Sequence, residues 1–306
     1  LLAALCTSLV LLAVARPQLA GEAAPAGPRR ALAAGLAGGL ALLAKPSGAL
    51  AVLTAATAYA WDGWRARALR PAGLRLAVVL GIALLIGGWF YARNQLSHGA
   101  LLPFGLPAHT AMFSMPPGAR TWLDYVRFPM ATFSDPQLLN PALLRSVWGS
   151  TYAAVWFDAH RYFLPTDSSA VRHLGTLTLL LALLPTCAFA GGLARGARRC
   201  LRGGGGIDRP LLLLVALTLA AYAAYTWQNP WFAVLKGTSL LGLSLPYAYY
   251  ASEMLLAWGR RSRAAALAIG LGLAALALCV VLSCTFNGVF ERQAVSGLEW
   301  GVSENP

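Results

Sequence analysis

The chain has 306 residues, of which 58% are hydrophobic and only 11% charged, with a net charge of +13. A soluble domain carries about 25% charged residues, so a soluble fold with a single anchor is excluded and most of the chain belongs in a bilayer. The arginines sit in short loops between apolar runs, which is the positive-inside pattern, and no nucleic-acid partner is expected.

In chain order the apolar runs are about 1–15, 31–44, 46–61, 76–92, 171–194, 210–228, 232–258 and 264–284. Leu1 opens inside a run, with no Met or basic segment before it, so an upstream part is expected. Four basic stretches separate the runs: 16–30 (Arg16, Arg29, Arg30), 62–75 (Arg65, Arg67, Arg70, Arg75), 195–209 (Arg195, Arg198, Arg199, Arg202, Arg209) and 259–263 (Arg260, Arg261, Arg263). All four are expected on the cytoplasmic side. The first two share a side only if 31–61 crosses twice. There "AKPSG" (44–48) breaks the run, since Pro46 disfavours helix at Lys45 and Gly48 adds a turn. Each half is short for a span of about 20 residues, so 31–61 is a short hairpin or a broken, re-entrant pair.

From there the sides alternate to the end. The expected fold is all-α: a polytopic transmembrane helical bundle of about eight membrane segments with one large outer-face loop. Its parts are transmembrane segments over 1–93 with the broken hairpin at 31–61, the outer loop 94–170, a C-terminal transmembrane bundle over 171–284 and an outer tail 285–306. "LRGGGG" (201–206) lacks the Lys-Ser/Thr of a phosphate loop and reads as a linker. The Ala-, Leu-, Arg- and Gly-heavy composition favours a bacterial inner membrane, with 94–170 periplasmic.

The outer loop is too apolar for a solvated linker. "RTWLDYVRFPMATF" (120–133) and "PALLRSVWGSTYAAVWF" (141–157) read as amphipathic pieces at headgroup depth. Its acids, Asp124, Asp135, Asp158 and Asp167, read first as loop caps or ion-pair partners. Glu253 lies inside an apolar run, where a charge costs at least about 2.5 kcal/mol; pairing within the bundle is the plain reading and an ion pathway the sharper one. The five cysteines form no CxxC, so neither a zinc site nor a disulfide framework is indicated. The four histidines, His98, His109, His160 and His173, show no ligand spacing on a helix, and no metal is expected.

Cations at the outer boundary run against the positive-inside pattern and point to an anion. In a bilayer the available anions are lipid phosphates. Leaving-group phosphate needs positive charge placed where negative charge develops; Arg supplies a fork and Lys a point charge. Lys45, Arg93 and Lys236, with Arg161 as a weaker fourth, are the candidate phosphate-binding residues. Sugar rings favour aromatic faces with polar groups beside them. Trp89, Tyr91, Asn94, His98, Trp148, Trp156, Asp158 and His160 are the candidate pocket residues.

Four stretches together resemble a known family. They are "GLALLAKPSGAL" (39–50), "GGWFYARNQLSHGALLPFG" (87–105), "LLRSVWGSTYAAVWF" (143–157) and "FAVLKGTSLLGLSLPYAYYASEML" (232–255). In order and spacing they are similar to motifs of the glycosyltransferase C superfamily, namely family 39 protein mannosyltransferases and the aminoarabinose transferases. Thr238-Ser239 and His98 depart from the family's usual residues. The resemblance implies an inverting transfer of a sugar from a polyprenyl-phosphate donor to a glycan, lipid or protein acceptor on the outer face. It also implies a catalytic acidic residue upstream of Leu1. No cofactor beyond the lipid-linked sugar is implied. Two other readings share the outer cations: a transporter or flippase for a lipid-linked or anionic substrate, and a non-catalytic lipid-binding assembly protein. A transporter would show a matching helix break in a second half, and the sequence offers no such signal.

Overall fold

The computed structural model describes residues 1–19, 28–102, 119–136, 140–157, 169–204, 206–230 and 234–294. Among them all regular structure is helical. The main helices are α1 (Leu2–Leu19), α2 (Pro28–Ala44), α3 (Gly48–Arg65), α4 (Leu69–Ala83), α5 (Trp89–His98), α6 (Val147–Trp156), α7 (Ser169–Leu201), α8 (Asp208–Gln228), α9 (Ser244–Gly259) and α10 (Arg263–Ala294). Among the described residues, four stretches are long and apolar enough to cross a membrane: Leu69–His98, Val171–Leu201, Asp208–Gln228 and Arg263–Ser283. Each exceeds the roughly 20 residues that a hydrocarbon core of about 30 Å requires. The chain is therefore read as an integral membrane protein.

The expected break at Lys45 is a helical hairpin. α2 ends at Ala44, and α3 starts at Gly48. Pro46 has no amide hydrogen to give, and the chain turns through Gly48 N–H to Lys45 carbonyl (2.8 Å) and Ala49 N–H to Pro46 carbonyl (3.0 Å). A Cβ on Gly48 would lie 2.2 Å from the carbonyl carbon of Ala41, so glycine alone lets the two helices close here.

Several boundaries differ from the sequence reading. Arg70 and Arg75 ride on the first turns of α4, and only Ala66–Ala68 connect it to α3. α5 carries the helix past Arg93 to His98, where Gly99 (φ +68°) ends it in the left-handed conformation. Between α4 and α5 the backbone makes one π-helical turn, Leu84–Gly88. The run 232–258 is not one helix. A 3-10 segment, Gly237–Leu243, precedes α9, which begins at Ser244 with Pro246 in its first turn. Residues 285–294, expected in the outer tail, continue α10.

The chain divides into two compact units. The first holds Leu1–Ser114, Ala188–Asn229 and Thr238–Met254. Its helices pack through small residues. On α2, Gly35 and Gly39 are four apart on one face. A Cβ on Gly35 would meet Ile82 Cβ at 3.0 Å, and one on Gly39 would meet Ile86 Cβ at 2.7 Å. This is the small-xxx-small contact by which membrane helices approach closely. Around it Val10, Val14, Ala34, Val52, Tyr59 and Val79 are buried. A second cluster gathers Leu11, Leu211, Leu214, Leu243 and Tyr250.

The other unit holds Met115–Cys187, Pro230–Gly237 and Leu255–Pro306. Its irregular part is held by capping bonds. Thr121 and Asp124 form a capping box, with Thr121 N–H donating to Asp124 Oδ2 at 3.0 Å. Asn140 Nδ2 donates to Asp135 Oδ2 at 2.9 Å. Ser146 caps α6, accepting from Gly149 N–H at 3.0 Å while its hydroxyl donates to the Arg127 carbonyl at 2.6 Å. Asp124 and Asp135 are thus loop-holding groups. Only α6, within 141–157, forms a helix of several turns; 120–133 gives a 3-10 turn and a single α-helical turn, Ala131–Ser134.

Candidate functional site

α2 delivers Lys45 to the end of the hairpin, and the Lys45 ammonium donates to the Thr238 carbonyl at 3.3 Å. This contact joins two of the motif stretches across 193 residues of sequence. It borders a cavity of about 170 Å³. Its polar lining comes from Thr7 on α1, Lys45 and Ser47 in the hairpin turn, Thr218 on α8, and Thr238 and Ser239. Leu1, Leu50, Leu214 and Leu241 supply its apolar wall. Thr7 and Thr218 are themselves buried. The cavity therefore offers one cation and several hydroxyls beside an aliphatic surface. That combination suits a singly or doubly charged oxyanion carried on a hydrocarbon chain.

Tyr91 buttresses the Lys45 turn. Its hydroxyl donates to the Leu42 carbonyl at 2.7 Å. Leu42 lies in the last turn of α2, where carbonyls lack an intrahelical partner, so the bond fixes α5 against the end of α2. Trp89 is exposed, with Phe90 at its edge and Phe90 in turn against Tyr91. Arg93 is exposed on α5. Asn94 is buried and donates from Nδ2 to the Leu101 carbonyl at 3.4 Å, bracing the α5 terminus. His98 is exposed at that terminus.

Trp148 and Trp156 both stand half-buried on α6, in the other unit. Trp156 packs against the Phe157–Val171–Leu179 cluster. Lys236 also belongs to that unit and is half-buried, two residues before the Thr238 that meets Lys45. Asp158, His160 and Arg161 lie outside the described residues. So Lys45 is seated at a cavity, Tyr91 and Asn94 are engaged in holding backbone, and Trp89, Arg93 and His98 point outward from α5.

The sequence reading missed the hydroxyl lining, because single Thr and Ser residues in apolar helices carry no spacing signal. It also missed the partners of Glu253. Arg199 donates from Nη2 to Glu253 Oε2 at 2.8 Å and from Nε to Asp208 Oδ2 at 2.7 Å. The Tyr250 hydroxyl donates to Asp208 Oδ1 at 3.2 Å. One guanidinium thus ties α7, α8 and α9 together. The signal available was Asp208, the single acid among the five arginines of 195–209. Among the described residues no cluster of His, Cys, Asp and Glu could hold a metal ion. Comparisons with protein-family models, with curated proteins and with solved structures return no match.

Proposed function

We propose that this chain is a membrane glycosyltransferase that moves a sugar from a polyprenyl-phosphate donor to an acceptor at the outer face, in a bacterial inner membrane with 94–170 periplasmic. The observation that carries this reading is the cavity around Lys45, where a cation and hydroxyls meet an aliphatic wall. The motif order from residue 39 to residue 255 supports it independently. In this reading the acceptor oxygen attacks the anomeric carbon from the face opposite the donor phosphate. The carbon–oxygen bond to phosphate breaks, the phosphate oxygen leaves with the electron pair, and the acceptor's hydroxyl proton passes to the acidic residue that the family resemblance implies. Lys45 stabilises that developing charge, and the Ser47, Thr218 and Ser239 hydroxyls donate to the remaining oxygens. Arg93 supplies further positive charge to the donor, and exposed Trp89 offers a ring face to the sugar or acceptor.

The test is equilibrium binding of a polyprenyl phosphate to the detergent-purified protein. Lys45→Ala is expected to weaken it at least about tenfold, equivalent to about 1.4 kcal/mol. Arg93→Ala is expected to weaken it by a smaller factor. Equal binding by all three proteins would make these cations boundary anchors and sink the reading. Where binding is lost as expected, release of polyprenyl phosphate from its sugar-loaded form tests the transfer itself. Binding without release would favour a lipid-binding or flipping protein.

A further inference from the structure

A second and larger cavity, of about 500 Å³, opens at the other end of α3. Its walls come from three helix ends in the same compact unit. α3 supplies Trp61 and Asp62, α7 supplies Ala197 and Leu201, and α8 supplies Arg209 and Leu212. It shares no residue with the cavity around Lys45. α7 and α8 are two of the helices long and apolar enough to cross a membrane, so this cavity sits at the depth where a bilayer's headgroups begin. Trp61, 46% exposed, stands where interfacial tryptophans are enriched.

The lining has two parts of different chemistry. Most of the lining is apolar, with Ala58, Ala197, Leu201, Leu212 and Leu213 among it. Its charged groups are one guanidinium, Arg209, and one carboxylate, Asp62. Arg209 donates from Nη2 to the Gly203 carbonyl at 3.3 Å, which leaves N–H groups of its five for another acceptor. Asp62 is half-buried. Burial pushes its carboxyl above the ordinary Asp value, and Arg209 is the strongest of the charges pulling it back. A partly desolvated carboxylate beside one cation gains from a second cation.

We infer that this cavity binds a phospholipid with an amine-bearing headgroup. The acyl chain lies against Leu201 and Leu212, the phosphate on Arg209, and the ammonium on Asp62. Arg65, Arg198 and Arg202 on the same helix ends draw phospholipid phosphates to this rim in general. The Asp62 carboxylate then selects among them, because it accepts an ammonium and repels a headgroup whose only charge is negative. The site is distinct from the donor site and stands whether or not Lys45 holds a polyprenyl phosphate.

The test is native mass spectrometry of the detergent-purified protein with phosphatidylethanolamine or phosphatidylglycerol at equal concentration. Wild type is expected to retain phosphatidylethanolamine preferentially. Arg209→Gln is expected to weaken both lipids about tenfold, the loss of a charge-assisted hydrogen bond. Asp62→Asn, close to isosteric, is expected to abolish the preference while phosphatidylglycerol stays bound. Ala197→Phe, which fills the cavity, is expected to remove both lipids. Water-soluble glycerophosphoethanolamine is expected not to displace the lipid. Preference for phosphatidylglycerol in wild type, retention of both lipids by Ala197→Phe, or displacement by the soluble headgroup would each overturn the proposal.

Discussion

The guanidinium of Arg199 holds the Asp208 carboxylate at two points, Nε to Oδ2 at 2.7 Å and Nη2 to Oδ1 at 2.8 Å. The same guanidinium reaches Glu253 through Nη1 and Nη2. Paired forks of this kind fix both distance and plane. They join the last turn of α7 to the first residue of α8 and the last turns of α9, in a chain whose intervening segment is a glycine-rich turn.

Arg199→Gln is expected to destabilise the protein by roughly 2–4 kcal/mol, because it strands a carboxylate that has left water. The Asp208 side chain is 5% exposed and Glu253 is 28% exposed. Asp208→Asn should therefore cost more than Glu253→Gln. Arg199 itself is 38% exposed, which keeps the loss below that of a fully buried pair. Thermal unfolding in detergent measures this order. An unchanged midpoint in Arg199→Gln would show a solvated cluster that holds nothing.

Gly192 is a second fastening between α7 and α9. A Cβ there would fall 2.2 Å from the Tyr250 carbonyl oxygen, and one on Gly196 would fall 2.6 Å from the Tyr250 ring. Gly192→Ala must push the two helices apart, at a cost of about 1–3 kcal/mol. Gly204→Ala, whose Cβ would have its nearest neighbour at 3.8 Å, is the control expected to unfold at the wild-type temperature. Equal midpoints for both variants would refute the close approach.

Tyr91 links the candidate site to the frame behind it. Tyr91→Phe removes the donor to the Leu42 carbonyl and is expected to cost about 1 kcal/mol. Its effect should also reach the ligand, since Leu42 is three residues before Lys45. Polyprenyl phosphate should bind a fewfold more weakly to Tyr91→Phe. A Tyr91→Phe protein with wild-type affinity would uncouple α5 from the Lys45 turn.

The features legible in the sequence were those set by neighbouring residues. Pro46 and Gly48 act on their own backbone, so the break in 31–61 lay open, and so did the four long apolar helices. The helix of 232–258 was misplaced because its start depends on packing. Gly237 sits where a Cβ would be 2.7 Å from the Ala154 carbonyl oxygen, a constraint 83 residues away in the chain. Arg199 read as a loop cation because nothing marks the end of α7 before the glycines. In the structure it is helical and shared by two acids. Lys45 was identified as a cation in a turn, but its contact with Thr238 is tertiary and leaves no periodic trace. Asp158, His160 and Arg161 lie outside the described residues.

Asp62 gives the pH-dependent prediction. Burial holds its carboxyl above the ordinary value of 3.8, while Arg209 from α8, Arg65 beside it on α3 and Arg75 from α4 pull it down. The folded chain therefore binds this proton more tightly than the unfolded chain. Stability from Asp62 is fully present below its unfolded value and is lost as pH rises through the folded one. Relative to Asp62→Asn, the wild-type unfolding midpoint should fall as pH rises from below the ordinary Asp value through the raised folded one. An ammonium placed on Asp62 stabilises the ionised form and lowers the folded value. Phosphatidylethanolamine should then flatten the wild-type slope, phosphatidylglycerol should not, and Asp62→Asn should respond to neither. Equal slopes in the two lipids would place the ammonium away from Asp62, and a wild-type curve parallel to Asp62→Asn without lipid would show a carboxylate already solvated.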